Sequence, residues 1–196
     1  MKRIVGQVIF LILIISSVSF ASTYDLELNG GDAALEARFN ATLPLEEHFL
    51  KTGVGAIYRD DEYEIIDVTL ALNGHIVVPE LQFTIGAKGV AGNIQMDHLE
   101  GDLTAIGLLV SGIYTLPKTI LPFPLDISAS FSLAPKAFCF SDSERYLDIR
   151  TSLDFHMVDN GALILGYRYT EIRFDVGNEQ RQMSDETLFV GFRIMY

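Results

Sequence analysis

The sequence predicts an all-β chain: a closed antiparallel transmembrane β-barrel of ten strands, with eight as the alternative count. Three observations lead there. Beyond residue 21, segments of about ten residues alternate apolar and polar side chains, and none carries a helical period. Clusters of Gly, Pro, Asp and Asn separate these segments. One parity of each segment is dense in large apolar residues, while the other holds Ser, Thr, Gly and isolated charges.

Residues 1–21 read as a cleaved signal peptide, and 22–196 as the barrel. Lys2 and Arg3 precede an apolar run from Ile4 to Ile15, and Ser19-Phe20-Ala21 is a small-x-small site that places cleavage between Ala21 and Ser22. The apolar run is shorter than the roughly 20 residues of a spanning helix. Loss of Lys2 and Arg3 takes the formal net charge from −12 to −14. That balance excludes a nucleic-acid binder. Cys139 is the one cysteine, so export to an oxidising compartment brings no internal disulfide.

In chain order, strands are expected near 24–29, 33–43, 49–59, 63–73, 81–91, 103–115, 124–134, 146–157, 162–174 and 186–196. In the fourth, Ile66, Val68, Leu70 and Leu72 face away from Asp67, Thr69 and Asn73. In the fifth, Leu81, Phe83, Ile85 and Ala87 oppose Gln82, Thr84, Gly86 and Lys88. The sixth, "LTAIGLLVSGIYTL", is apolar on both faces, which predicts a dry lumen side at Ala105, Gly107, Leu109, Ser111 and Ile113. The seventh sets Leu125, Ile127, Ala129, Phe131 and Leu133 against Asp126, Ser128, Ser130 and Ser132. The eighth sets Leu147, Ile149, Leu153, Phe155 and Met157 against Asp148, Arg150, Ser152, Asp154 and His156.

Short connections such as "VDNG" belong to a periplasmic side, and longer polar ones such as "DVGNEQRQMSDE", "PKAFCFSDSER" and "GNIQMDHLEG" to the outside. A soluble periplasmic lipocalin-like barrel alternates equally well, with its apolar face inward. Aromatic residues on the apolar parity weigh for the membrane. Phe83, Tyr114, Phe155 and Tyr196 fall at one end of their strands, and Tyr58, Phe131 and Tyr169 toward the other, as interfacial girdles do.

The last strand, "LFVGFRIMY", places Leu188, Val190, Phe192, Ile194 and Tyr196 on one face and stops on an aromatic. It resembles the C-terminal assembly signal that the barrel-insertion machinery reads in bacterial outer-membrane proteins. The stretches "FTIGAKGVAG", "LAPKAF" followed by "RYLDIRTSL", and "LILGYRYTEI" resemble the YfaZ family of small outer-membrane proteins of Gram-negative bacteria. The likeness is strongest from Leu81 onward. It implies a barrel in the bacterial outer membrane, and it carries no reaction or ligand onto residues of this chain.

Candidate chemistry is sparse. Ser152, Asp154 and His156 share one strand face at spacings of about 6.8 Å. A lipid-modifying hydrolase would need such a group on the lipid-facing side, and this parity faces the lumen. His48, His75, His98 and His156 have no metal-ligand spacing, so neither a metal nor a cofactor is expected. The charges of the lumen parity are Lys51, Asp67, Lys88, Asp126, Arg150, Asp154, Arg168 and Arg193, which predict an ion-paired interior with at most a narrow pore. Asp60, Asp61, Glu62, Asp97, Glu100, Asp102, Asp142, Glu144, Asp175, Glu179, Asp185 and Glu186 are expected as a solvated acidic outer face; the sharper alternative is that divalent cations bridge some of them to lipopolysaccharide phosphates. The expected role is structural or weakly permeant, without catalysis, and the expected partners are outer-membrane lipid, lipopolysaccharide and the assembly machinery.

Overall fold

The computed structural model describes residues 23–45, 48–60, 62–75, 80–96, 99–117, 123–176 and 179–196. The expected signal, with Ala21 and Ser22, lies outside the described residues, as do Asp61, Asp97 and His98. The strands are β1 (Thr23–Gly31), β2 (Ala34–Leu45), β3 (His48–Arg59), β4 (Tyr63–His75), β5 (Leu81–Met96), β6 (Leu99–Thr115), β7 (Leu125–Ala134), β8 (Cys139–Ser141), β9 (Ser143–Val158), β10 (Gly161–Val176) and β11 (Glu179–Met195).

Ten of these close a ring. β1 to β6 pair consecutively, β7 pairs with β6 and β9, and β10 and β11 lead back to β1, all antiparallel. An even count is what lets the first and last strands meet antiparallel. The meeting is tight: Asp25 lies opposite Met195 and Gly31 opposite Phe189. At the rim, Tyr24 and Tyr196 exchange backbone hydrogen bonds of 2.9 and 2.8 Å. Tyr196 is therefore the last rung of the closing seam, and its ring stands on the exposed exterior.

The apolar parity faces outward as expected. Ile66, Val68, Leu70 and Leu72 of β4 are exposed beside buried Asp67, and Leu188, Val190 and Phe192 of β11 are exposed beside buried Phe189 and Gly191. This is the transmembrane arrangement, apolar outside and polar inside, and the reverse of a lipocalin. From Leu188 to Tyr196 the exterior row climbs about 20 Å for strands tilted near 40°, close to the roughly 25 Å apolar band of outer-membrane barrels.

The strands outrun that band at the rim away from the termini, which corrects the expected loops. "GNIQMDHLEG" and "DVGNEQRQMSDE" are largely strand: Asn93 pairs with Asp102, and Arg173 with Gln182. Backbone ladders are indifferent to side-chain polarity, so a polar stretch extends a hairpin as readily as an apolar one. The connection "PKAFCFSDSER" also contains structure. A single 3-10 turn, Lys136–Phe138, leads into β8, which pairs with Leu103 to Ala105 of β6 where β7 has ended.

In these extensions the facing pattern inverts. On β10 Ile172 and Phe174 point inward while Arg173 and Asp175 are exposed; on β11 Met183 is inward while Ser184 and Glu186 are exposed; on β5 Ile94 is inward while Asn93 and Gln95 are exposed. Above the apolar band the molecule is built as a water-soluble barrel, with its own hydrophobic core. Tyr58 and Tyr169 lie on the exterior parity close to where the pattern changes over, as interfacial aromatics do.

Candidate functional site

Among the described residues, chemistry-bearing side chains converge in the lumen, which has three levels. The level at the far rim is apolar: Ile57, Tyr63, Ile65, Val90, Ile94, Leu103, Ala105, Ala134, Tyr146, Ile172, Phe174 and Met183 form one buried cluster. The sequence led us to expect a polar lumen, with a dry side on β6 alone. The plug extends dryness to most of the wall at this level. A polar clasp adjoins it, in which Asp185 accepts hydrogen bonds from Tyr63 and Arg59, each at 2.5 Å.

The middle level is a continuous ion-pair network. Asp148 on β9 accepts from Lys88 on β5 at 2.7 Å and from Arg168 on β10 at 2.8 Å. Lys88 also lies 3.6 Å from Asp67 on β4, and Arg38 on β2 joins Glu36 and Asp67. Arg168 and Arg150 both approach Glu36, at 3.6 and 3.9 Å. Arg150 pairs with Glu27 on β1, and Arg193 on β11 spans Glu27 at 2.7 Å and Asp154 at 2.6 Å. Glycine makes room for this: a Cβ on Gly55 of β3 would come within 2.6 Å of the Asp67 carboxylate.

Six of the eight expected lumen charges, Asp67, Lys88, Arg150, Asp154, Arg168 and Arg193, belong to this network. Lys51 and Asp126 do not. Asp126 accepts from no arginine or lysine among the described residues; its partner is the His156 ring, 2.8 Å away. The network also contains Glu27, Glu36, Arg38 and Asp148, which the sequence reading did not single out as lumen charges. The alternation in "LEARFN", where Leu35, Ala37 and Phe39 oppose Glu36, Arg38 and Asn40, was the signal that would have found the β2 pair.

The third level, at the terminal rim, is a cavity of about 270 Å³. Asp25, Asn40, Lys51, Gln82, Ser111, Ile113, Asp126, His156 and Met195 are among its lining residues. The Ser152, Asp154 and His156 group does not assemble into a relay. Ser152 Oγ donates to Asp154 at 2.7 Å and lies 2.7 Å from Ser128 Oγ, while His156 turns to Asp126 on the neighbouring strand. Of the acidic outer residues, Glu62 is held 2.9 Å from Arg59, and Asp60 accepts from Tyr58 at 3.1 Å. Among the described residues no three potential metal ligands converge.

No protein-family model matches the chain, and no curated protein is found as a relative. Among solved structures the barrel is similar to Neisserial surface protein A, at 11% identity over 88% of this chain and 94% of that one, with a TM-score of 0.38. It is also similar to the KdgM porin, at 7% identity over 88% and 98% with a TM-score of 0.43. The NanC porin compares at 12% identity over 89% and 99%, again with a TM-score of 0.43. These are likenesses of architecture, and no residue role is carried over from them.

Proposed function

We propose that the chain is a structural β-barrel of the bacterial outer membrane, exported by its N-terminal signal, whose lumen passes no solutes from one side to the other and performs no catalysis. The observation that carries this reading is the change of face along single strands. An apolar exterior surrounds ion pairs at one height, and a polar exterior surrounds an apolar plug above it. A chain in water alone has no reason to expose Ile66, Val68, Leu70 and Leu72 together on one strand. A membrane supplies that reason and also explains why the pattern ends. The YfaZ resemblance and the aromatic terminal strand support the same address, with lipid and lipopolysaccharide around the wall and the assembly machinery reading Leu188 to Tyr196.

The plug favours the structural half of the expected role over the weakly permeant half. The engagement of Ser152 and His156 with different carboxylates supports a non-catalytic reading over a lipid hydrolase. In planar lipid bilayers the purified protein is expected to give no discrete conductance steps. Steady steps at low voltage would overturn the closed-lumen reading.

A further inference from the structure

We propose that the cavity at the terminal rim is a binding site for a small monoanion with a short apolar tail, a carboxylate anchored by Lys51. The first observation is an unmatched cation. Arg38, Lys88, Arg150, Arg168 and Arg193 each lie within ion-pair distance of at least one carboxylate. Lys51 lines the cavity, yet among the described residues it forms no ion pair or hydrogen bond. The charges that act on it are the carboxylates of Asp25 and Glu27 and the guanidinium groups of Arg38 and Arg193. Glu27 and Asp25 are already shared with Arg193, at 2.7 and 3.9 Å.

The second observation is the shape of the space. The far end of the lumen is filled, so the cavity is a blind cup entered from the terminal rim. One wall, from β11, β1, β2 and β3, carries Arg193, Asp25, Asn40 and Lys51. Another part of the wall, from β6, offers Leu109 and Ile113 beside Ser111. That pairing of a free ammonium on β3 with an apolar strip three strands round the wall on β6 suits a carboxylate head and a hydrocarbon tail. A volume of about 270 Å³ lies just below the roughly 300–1,000 Å³ of drug-sized pockets, so the ligand is small. The neighbouring charges being paired already, the cup has use for one negative charge and none for a second.

The site belongs to the lumen and does not depend on whether the barrel conducts, so bilayer recordings and binding measurements fail independently. The probe is butanoate, measured by saturation-transfer NMR on the full mature chain folded in detergent micelles, with butylamine and succinate as charge controls. Lys51→Met is the test variant, because removing an unpaired cation strands no carboxylate, and it also reports butanoate held by the micelle alone. Butanoate is expected to bind the native protein at least tenfold more tightly than Lys51→Met, with Lys51→Arg restoring binding and butylamine and succinate binding more weakly. Equal signals from native protein and Lys51→Met, or no butanoate signal from the folded native barrel, would overturn the proposal.

Discussion

Replacing Asp148 by Ala is expected to cost about 3–5 kcal/mol of barrel stability, the usual penalty for stranding a buried charge. Asp148 is the hub on which Lys88 and Arg168 meet, and all three side chains are almost wholly enclosed. Without it Lys88 retains only Asp67 at 3.6 Å, and Arg168 only Glu36, also at 3.6 Å. Neither distance is a hydrogen bond, and two cations then share the space with fewer anions. Urea unfolding of the folded protein in lipid vesicles measures the loss as a shift in midpoint. Lys51→Met, which touches no ion pair, is expected to stay within about 1 kcal/mol of the native protein. A loss below about 1 kcal/mol for Asp148→Ala would mean that water or a rearranged network replaces the carboxylate.

The second large effect is steric. Gly86 faces the lumen on β5, and a Cβ there would lie 2.3 Å from the Leu70 carbonyl oxygen and 2.4 Å from Ala71 Cα. Both are backbone atoms of the adjacent strand β4, so no side-chain rotation relieves the contact. Gly86→Val is expected to cost on the order of 3 kcal/mol or to prevent folding. Gly89, three residues on and on the exterior face, is the contrast: its Cβ would meet nothing nearer than 3.9 Å. Gly89→Ala is expected to fold with native stability. Folded yield, read as the heat-resistant band on a gel, separates the two, and a normal yield of Gly86→Val would show that β4 and β5 lie further apart than described.

Facing was the most legible property of the sequence. Period-2 alternation in "EIIDVTLALN" and "RYLDIRTSLDFHM" assigned exterior and lumen residues correctly because every strand residue must take one side or the other. The count of ten was legible for the same reason, down to the seam between the first and last strands. The plug was not, because Tyr63, Ile65, Ile94 and Ile172 sit on stretches where the rule relating polarity to facing reverses. A reader who assumes one rule for a whole strand takes "DVGNEQRQMSDE" for a loop. The network was half legible: single charges on a lumen parity announce a paired interior, but which arginine meets which carboxylate depends on strand tilt and register. That is why Asp126 paired with His156 and not with an arginine.

The central claim is a closed barrel with its apolar face toward lipid, sealed by the last strand. The most direct test is gel migration of the cell-envelope fraction in SDS, unboiled against boiled, for the full chain and for one lacking Tyr196. The account predicts that the full chain sediments with membranes and runs at a different position until heated. Loss of the two backbone bonds to Tyr24 should then markedly reduce the heat-resistant form. A protein found in the soluble periplasmic fraction, migrating identically with and without boiling, would contradict it.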